Sequence, residues 1–436
     1  MRHVIVGSSA AGIAAAEAIR KRDPIAEVVM LSAEPRPPYY RPLIPYLIYG
    51  EKPEREMVRE PRLMPRNLDV RLNVRATDLE LATHTLTLAD HSTGGSETFP
   101  YDRLLIATGA SPIRPDIPGL DGPGVFTLRT WEDAMNIAKA AGGATHAVVL
   151  GAGRIGMKAA FALRHLGVGV TVIELLSRIV PQQLDAASAA IFAEAVLNTG
   201  IVTILGHTIA KVNRRGKRTT SAVLDDGRRL IADLVVVGVG VRPNLELAVS
   251  GGLRVNRGLL VDDHLRTRLA DGQSAPDVFA AGDVVETTDI VTGESIVSGI
   301  WTNAATMGRI AGDNMAGGNA VHEGAFSLLN AMELGGLPVI SVGDIHHEPG
   351  DGVEVFAERR GSNYRKMVFR GNRLIGLVMV GEIERAGVYQ TLIREKADVS
   401  ALRRELLGPR FHYGHYVHAK PKVVDRYVRV VNSPSL

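Results

Sequence analysis

The chain has 436 residues, 45% of them hydrophobic, with a formal net charge of +3 and no cysteine. This length predicts two or three domains with packed cores, and so small a net charge gives no reason to expect nucleic acid as a partner. Without cysteine the chain cannot form disulfides, thiolate nucleophiles, thiolate zinc sites or cysteine-held iron–sulfur clusters.

The N-terminus carries a short apolar run, residues 4–6, which Gly7 closes at once. Such a run is too short for the core of a signal peptide, and no uncharged stretch reaches the length of a membrane span. We therefore expect a soluble, cytoplasmic protein that does not bind a membrane.

The first motif along the chain reads as strand, small-residue turn, helix, strand and acid. The helix is predicted to end near Arg22, and the second strand is predicted at residues 28–31. Ser9 stands where the Gly-x-Gly-x-x-Gly fingerprint has its middle glycine. The residues of this motif that we predict to contact a nucleotide are Gly7, Ser9, Ala11, Gly12 and Glu34.

The same motif occurs a second time, with all three glycines present. Its strands are predicted at residues 147–150 and 170–173, and its helix is predicted to reach about His165. The residues predicted to contact a nucleotide here are Gly151, Gly153, Ile155, Gly156 and Glu174. A single glycine turn is weak evidence, but two such units in one chain support each other.

Each part of the motif has a physical role in binding a dinucleotide. The first glycine makes the tight turn, the middle position lets backbone approach the pyrophosphate, and the last glycine lets helix and strand pack closely. The helix N-terminus offers N–H groups to the phosphates, and the acid accepts hydrogen bonds from ribose. Glu174 favours NADH over NADPH, because a carboxylate repels a 2′-phosphate. Arg178 is interpreted as a surface charge.

Two more apolar runs each end in a small-residue turn. Residues 104–107 lead to Thr108 and Gly109, and residues 278–281 lead to Gly282 and Asp283. The whole second motif lies between these runs, together with an apolar strand that ends at Gly240. One nucleotide domain is therefore predicted to be inserted into another.

With these motifs the chain resembles, over roughly residues 1–400, the pyridine nucleotide-disulfide oxidoreductase superfamily of flavoproteins that bind two dinucleotides. The resemblance implies an α/β fold with two nested Rossmann-like domains of the three-layer ββα type, plus a small C-terminal α/β domain and tail. It implies FAD in the N-terminal unit, beside Thr108, Gly109, Gly282 and Asp283, and NAD(H) in the inserted unit, which Gly240 closes. The predicted domains are 1–113 with 245–321 for FAD, 114–244 for NAD(H), 322–408 for interface contacts, and the tail 409–436.

Many members of that superfamily reduce disulfides through their own cysteines, which this chain lacks. The segment around Arg41 and Pro42 resembles NADH:rubredoxin reductases, the flavin domain of NADH-dependent nitrite reductase, and FAD subunits of enzymes such as phenylglyoxylate dehydrogenase. Residues 300–312 support the same branch. The resemblance implies that Arg41, Pro42, Trp301 and Ala304 border the flavin.

We therefore expect an oxidoreductase that exchanges hydride with NAD(H) and passes single electrons to or from an iron–sulfur partner such as a ferredoxin or rubredoxin. It is expected to act as the FAD subunit of a multisubunit enzyme or as a homo-oligomer. No catalytic side chain and no metal site are predicted, because the flavin carries the chemistry. Two alternatives stay open: a self-contained NADH oxidase that forms peroxide, and a flavin-binding NADH sensor without enzymatic activity.

The C-terminal third is predicted to contain antiparallel strands at 364–369 and 374–380, with a hairpin turn at 371–372 and a helix at about 383–395. The tail is rich in aromatic residues, which are common at interfaces, so we expect it to dock on a partner subunit. Its histidines are interpreted as surface residues. The aromatic residues of the tail are Phe411, Tyr413, Tyr416 and Tyr427, and its histidines are His412, His415 and His418.

Overall fold

The computed structural model describes residues 1–416 except 61, 63, 217, 351, 409, 410 and 413. The chain divides into two compact units. Unit 1 contains Met1–Pro181 and Val196–Ser327, and unit 2 contains Gln182–Ala195 and the residues from Leu328 onward.

The strands and helices are numbered in chain order. The strands are β1 (Arg2–Val6), β2 (Glu27–Leu31), β3 (Leu68–Arg71), β4 (Val74–Glu80), β5 (Thr85–Asp90), β6 (Ser96–Pro100), β7 (Arg103–Ile106), β8 (Ala110–Pro112), β9 (Val125–Thr127), β10 (His146–Leu150), β11 (Gly169–Glu174), β12 (Val202–Leu205), β13 (Ile209–Arg215), β14 (Arg218–Leu224), β15 (Arg229–Ile231), β16 (Leu234–Val237), β17 (Val241–Pro243), β18 (Leu259–Leu260), β19 (Arg266–Arg268), β20 (Ser274–Ala280), β21 (Val285–Thr288), β22 (Ser295–Val297), β23 (Leu329–Leu334), β24 (Leu337–Gly343), β25 (Val353–Arg360), β26 (Asn363–Arg370) and β27 (Arg373–Val380). The α-helices are α1 (Ala10–Arg22), α2 (Ile44–Tyr49), α3 (Glu54–Met57), α4 (Trp131–Ala141), α5 (Arg154–His165), α6 (Ala186–Asn198), α7 (Glu246–Ser250), α8 (Trp301–Met315), α9 (Ala386–Arg394) and α10 (Arg403–Leu407).

The outer sheet of unit 1 has the strand order β19-β20-β7-β1-β2-β3. Its strands run parallel except β19, which pairs antiparallel with β20. The apolar run of β1 lies near the middle of the sheet with Val4 and Ile5 fully buried. Because the strands run parallel, the turns that follow β1, β7 and β20 meet at one edge of the sheet.

Helices α1 and α8 pack closely against each other beside this sheet. A Cβ built on Gly308 would lie 2.1 Å from the carbonyl oxygen of Ala11, and one on Gly312 would lie 2.3 Å from that of Ala15. Only glycine in α8 and small residues in α1 allow so close an approach. The alanine-rich composition of the first motif therefore has a packing role as well as a binding role.

The inserted sheet of unit 1 has the order β12-β11-β10-β16-β9, and all of its strand pairs are parallel. Two further three-stranded antiparallel sheets, β4-β5-β6 and β13-β14-β15, supply the additional β layer of each nucleotide-binding half. The nested arrangement of two Rossmann-like halves predicted from the sequence is confirmed.

The chain passes into the inserted half and back through the antiparallel pair β8 and β17. Asn244 holds this crossing together. Its side chain donates to the carbonyl oxygen of Thr108 at 2.8 Å, and its backbone N–H donates to that of Gly109 at 2.9 Å. Its side-chain oxygen accepts a hydrogen bond from Ser111 at 2.6 Å.

Unit 2 contains a five-stranded antiparallel sheet in the order β23-β24-β27-β26-β25. The predicted hairpin is present, with β26 ending at Arg370 and β27 starting at Arg373, and the predicted helix is α9. The segment 182–195, which we predicted within the NAD(H) domain, clusters with unit 2. There the Tyr364 hydroxyl donates to the buried Asp185 carboxylate at 2.7 Å, and the Lys366 ammonium lies 3.5 Å from the same oxygen.

The described part of the predicted docking tail packs against unit 2 itself. Phe411 and Tyr416 are buried, and the Phe411 ring centroid lies 5.5 Å from that of Tyr389 in α9. These two aromatic side chains are therefore not exposed for a partner to contact, contrary to our expectation. Tyr413, Tyr427 and His418 lie outside the described residues. Among the described helices, none is both long and apolar enough to cross a membrane.

Candidate functional site

The edge of the outer sheet brings together residues from three distant parts of the sequence. Gly7 follows β1 with φ of +123°, and a Cβ there would lie 2.1 Å from the carbonyl oxygen of Ala107. A Cβ on Gly282 would lie 3.1 Å from the Cβ of Ala11 and 3.6 Å from that of Ala304. The turn after β1, the turn after β20 and the start of α8 therefore meet.

The N-terminus of α1 is suited to an anion. Its N-cap is Ser9, whose side chain makes no capping hydrogen bond to the described helix, and its first turn, residues 10–13, is apolar. The first N–H groups of a helix have no partner within the helix and carry partial positive charge. A pyrophosphate fits this position without competing with a carboxylate of the chain.

Glu34 lies in a half-buried cluster with Arg41 and Tyr39. One carboxylate oxygen accepts a hydrogen bond from the Arg41 guanidinium at 2.6 Å, and the other accepts one from the Tyr39 hydroxyl at 2.6 Å. Burial and the Glu34 charge raise the pKa of Tyr39, so the phenol stays a donor. Each carboxylate oxygen has a second lone pair, so binding of ribose by Glu34 stays a prediction that these contacts permit.

Arg41 also connects this cluster to the inserted half. Its guanidinium donates to the carbonyl oxygen of Arg129 at 3.0 Å and lies 3.5 Å from the Ser9 hydroxyl. Pro42 follows in a short 3₁₀ helix, Arg41–Leu43, at the exposed side of the cluster. Arg41 thus lies beside Ser9, and the contact of Arg41 and Pro42 with the flavin stays a prediction.

Asp283, at the end of the turn after β20, forms an ion pair with Arg129 at 3.0 Å. The same Arg129 guanidinium lies 3.4 Å from the position of a Cβ on Gly109, whose φ is +69°. The sequence analysis did not identify Arg129. The signal that it overlooked was the helix-capping pattern of Thr130 and Asp133, which fixes the turn that carries this arginine.

Trp301 and Tyr40 border a cavity of about 140 Å³ that adjoins the N-terminus of α1. Their ring centroids are 6.2 Å apart. Ser9 and Ala10 line the same cavity, together with the exposed Arg309. Trp301 therefore lies close to the N-terminus of α1, and its contact with the flavin stays a prediction.

The edge of the inserted sheet repeats the same construction. Gly151 follows β10 with φ of +100°, and a Cβ on Gly156 would lie 1.9 Å from the Gly151 carbonyl oxygen. Gly153, the middle glycine, has only the Gly238 carbonyl oxygen near its Cβ position, at 3.9 Å. The first and last glycines are thus required by packing, whereas the middle one leaves room for a ligand to approach the backbone.

Glu174 ends β11 beside this turn. One carboxylate oxygen accepts from the Ala152 N–H at 2.8 Å and the other from the Leu176 N–H at 3.0 Å. Ile155 is exposed, and Gly240 lies between β16 and β17 with φ of +123°. The Arg178 guanidinium donates to the Pro181 carbonyl oxygen at 3.2 Å. Glu174 is therefore fixed next to the glycine turn, and its contact with a ribose stays a prediction.

Both edges satisfy the requirements for a dinucleotide on observations from the chain itself. Each edge has glycines at which a Cβ would clash with backbone atoms, and a helix whose first turn carries no acidic residue. Each also has a carboxylate after the second strand of its motif. The residues present thus fit two dinucleotides, one at each edge, and the assignment of FAD to the outer edge and NAD(H) to the inserted edge stays a prediction.

A group of side chains that could bind a metal was not predicted from the sequence. His207, Asp225 and Asp226 place their ligand atoms within 4.8 Å of one another. Both ring nitrogens of His207 already face a carboxylate, and Asp226 pairs with Arg228 at 2.5 Å. The group is adequately explained as an ion-pair cluster at the surface.

Comparison with known families agrees with this geometry. Residues 1–308 match the family described as pyridine nucleotide-disulphide oxidoreductase. Residues 329–397 match the rubredoxin NAD+ reductase C-terminal domain. The two matches correspond to most of unit 1 and to the main sheet of unit 2.

Individual proteins give the same result over most of the chain. The chain is 34% identical to the NADH oxidase of Methanocaldococcus jannaschii, covering 77% of this chain and 75% of that protein. It is 32% identical to the NADH-dependent phenylglyoxylate dehydrogenase subunit epsilon of Aromatoleum evansii, covering 93% and 94%. The structure of a NAD-dependent persulfide reductase from A. fulgidus superposes with a TM-score of 0.82 at 28% identity, covering 94% of this chain and 80% of the other.

Proposed function

Because the chain belongs to the pyridine nucleotide-disulphide oxidoreductase family, we propose that it exchanges hydride with NAD(H) and passes single electrons to or from an iron–sulfur partner. It is an NAD(H)-dependent flavoprotein oxidoreductase, and its cofactors are FAD and NAD(H). The observation that carries the proposal is the combination of two dinucleotide sites with a complete absence of cysteine. Electrons that arrive as hydride cannot be stored in a disulfide of this chain, so they must pass to an acceptor outside it.

The chain's own residues bind and position the two cofactors. The N-termini of α1 and α5 provide N–H groups for the pyrophosphates, and Glu34 and Glu174 provide acceptors for ribose. Arg129 holds Asp283 in place at the end of β20. FAD, when bound, supplies the redox chemistry, so no side-chain acid or base is required for hydride transfer.

The subunit form of the proposal is supported by similarity that extends along nearly the full chain. The relative from Aromatoleum evansii carries the name of a subunit, and the match covers 93% of this chain and 94% of that relative. The match of residues 329–397 to a rubredoxin reductase domain favours a small iron–sulfur protein as electron partner. We therefore propose a ferredoxin-like or rubredoxin-like protein, or an iron–sulfur subunit, as the partner.

A second candidate is a self-contained NADH oxidase that forms peroxide, which the similarity to the Methanocaldococcus jannaschii protein favours. The two candidates differ in the acceptor that reoxidises the flavin. Purified holoenzyme is reduced anaerobically with one equivalent of NADH and then mixed with oxygen, with a ferredoxin, or with a rubredoxin. The leading proposal expects fast reoxidation by an iron–sulfur protein and slow reoxidation by oxygen.

Two outcomes would contradict this. Fast oxygen consumption with one peroxide formed per NADH supports the oxidase instead. If NADH does not bleach the flavin at all in the anaerobic sample, the chain is a flavin-binding sensor rather than an enzyme. NADPH in place of NADH is the control for the specificity expected from Glu174.

A further inference from the structure

Val180 adopts a backbone conformation that its side chain disfavours. Its φ is +47°, and among the residues that the structure describes it is the only β-branched one with a positive φ. The left-handed region crowds the Cβ of an L-residue, and Pro181 further favours an extended conformation at the residue before it. The Val180 side chain is fully buried. Such a conformation persists only where the surrounding structure enforces it.

This strained residue contacts the glycine turn of the inserted half. The Val180 N–H donates to the Ala152 carbonyl oxygen at 2.9 Å. The N–H of the same alanine donates to the Glu174 carboxylate at 2.8 Å, so both backbone groups of Ala152 are fixed. Ala152 directly precedes Gly153, where the turn leaves room for a ligand. The conformation of Val180 therefore helps to determine the shape of this turn.

The chain that leaves Val180 is held five residues later by a buried carboxylate. Oδ1 of Asp185 accepts a hydrogen bond from the Ser188 N–H at 3.1 Å and so caps the start of α6. Oδ2 accepts one from the Tyr364 hydroxyl at 2.7 Å and lies 3.5 Å from the Lys366 ammonium. We call Asp185, Tyr364 and Lys366 the Asp185 anchor, and all three side chains are buried.

The chemistry of the Asp185 anchor is suited to fixing a chain segment in one place. A carboxylate and an ammonium are costly to bury unless they face each other and their hydrogen bonds are made. The Lys366 ammonium meets this condition, because it also donates to the His347 carbonyl oxygen at 2.9 Å. Displacement of the segment would leave buried charges without partners, so the anchor specifies where the chain after Val180 lies.

We propose that the Asp185 anchor positions the nucleotide-binding turn of the inserted half. The anchor lies in unit 2 and holds residues 181–184, which keep Val180 in its left-handed conformation, and the Val180 N–H in turn holds Ala152. This inference rests on the proposed function, because it takes NAD(H) to bind at the inserted half. It adds that side chains of the C-terminal sheet control the affinity for NAD(H) through the covalent chain.

The test uses ADP-ribose, which carries the pyrophosphate and both riboses of NAD(H) without the nicotinamide. Its dissociation constant is measured by calorimetry on the full-length, FAD-loaded protein. Tyr364→Phe removes one donor of the Asp185 anchor and keeps the ring, and Tyr364→Phe with Lys366→Met removes both donors. Tyr389→Phe is the matched control, because its buried hydroxyl donates to the Leu406 carbonyl oxygen at 3.4 Å, elsewhere in unit 2.

The anchor variants should lose affinity in order of the contacts removed. We expect Tyr364→Phe to weaken ADP-ribose binding about threefold, as for one lost hydrogen bond, and the double variant to weaken it about tenfold or more, because the buried carboxylate then has no donor in unit 2. NADH, titrated anaerobically, should weaken by the same factors. Tyr389→Phe should bind ADP-ribose as the wild type does, and every variant should keep its full flavin content.

Val180 provides the measurement that a purely structural role of the anchor would not change. Glycine adopts the left-handed conformation without strain, whereas alanine does not. In a Val180→Gly background the double anchor variant should therefore weaken ADP-ribose binding only about twofold, and in a Val180→Ala background the loss of about tenfold should remain. Equal losses in the two backgrounds would overturn the inference.

The remaining outcomes separate this inference from the proposed function. Wild-type protein that binds neither ADP-ribose nor NADH refutes the proposed function itself. Wild-type protein that binds both, with unchanged affinities in the anchor variants, refutes only the role of the anchor. If the double variant does not fold, Tyr364→Phe alone decides, since it removes a single hydroxyl. Equal loss of flavin and of ADP-ribose affinity in Tyr364→Phe would indicate general destabilisation and also refute the role of the anchor.

Discussion

The two glycine turns make a paired prediction, because the same substitution is expected to have a different effect in each. A Cβ on Gly12 would lie 1.9 Å from the carbonyl oxygen of Gly7, and a Cβ on Gly156 would lie 1.9 Å from that of Gly151. Atoms in favourable contact are about 3.5 Å apart or more, so in either variant helix and strand must separate by about 1.5 Å. We expect Gly12→Ala to lose FAD and Gly156→Ala to keep FAD and lose affinity for NADH.

The expected size follows from the cost of overpacking, which is about 1–3 kcal/mol at one position. If this cost falls on the ligand-bound geometry, binding weakens by about tenfold to a hundredfold, because each 1.4 kcal/mol is a factor of about ten. Flavin content is measured from the visible spectrum of the purified protein, and NADH affinity by anaerobic titration. Gly142→Ala is the matched control, since Gly142 has φ of −61° and its Cβ position lies 3.5 Å from the nearest carbonyl oxygen.

The result that would refute this reasoning is an exchange of the two effects. If Gly156→Ala lost the flavin while Gly12→Ala retained it and bound NADH poorly, the assignment of the two nucleotides to the two halves would be wrong. If both variants kept both affinities, the close approach of helix and strand would not control either site.

Three further predictions concern stability and specificity. Trp131 is fully buried at the start of α4, so Trp131→Ala should destabilise the protein by about 3–5 kcal/mol in thermal unfolding, whereas Met135→Ala, exposed on the same helix, should change it little. Burial lowers the pKa of His3 to about 4; the unfolded chain therefore takes up this proton first on acidification. Between pH 6.5 and 4 the free energy of unfolding should fall by up to about 3 kcal/mol, and His3→Val should remove that part of the pH dependence. Glu174→Ala should raise the ratio of NADPH to NADH turnover by about tenfold, and an unchanged ratio would show that the carboxylate does not select the cofactor.

Much of the fold was predictable because its signals are local. The glycine turns, the apolar runs and the Gly371–Asn372 hairpin each have a pattern of a few residues that specifies a backbone conformation. The helix ends at Arg22 and His165 agree with α1 and α5 as the structure has them. The insertion of one nucleotide domain into the other could be predicted from the order of the apolar runs along the chain, because the second motif lies between two runs that belong to the outer sheet.

The contacts that could not be predicted depend on residues far apart in sequence. Nothing near Asp283 indicates that Arg129 pairs with it, since the two are 154 positions apart along the chain. The same is true of Asp185, which lies beside Tyr364 in unit 2 although the chain before 182 and after 195 belongs to unit 1. Burial of Phe411 was missed because an aromatic residue has the same composition signal whether it contacts its own chain or a partner.

The turn at Thr108 and Gly109 shows how one segment combines two roles that a sequence motif cannot separate. The resemblance assigns this turn to the flavin, and the structure places Gly109 beside the Arg129 that holds Asp283. The same two residues bond to Asn244, which fixes the crossing between the halves. A substitution of Thr108 would therefore change the flavin edge and the crossing together, whereas Asn244→Ala would remove only the two side-chain hydrogen bonds at the crossing, to Thr108 and Ser111, and leave the Arg129–Asp283 pair intact. Loss of hydride transfer with full flavin content in Asn244→Ala would therefore indicate that the crossing sets the alignment of the two nucleotides.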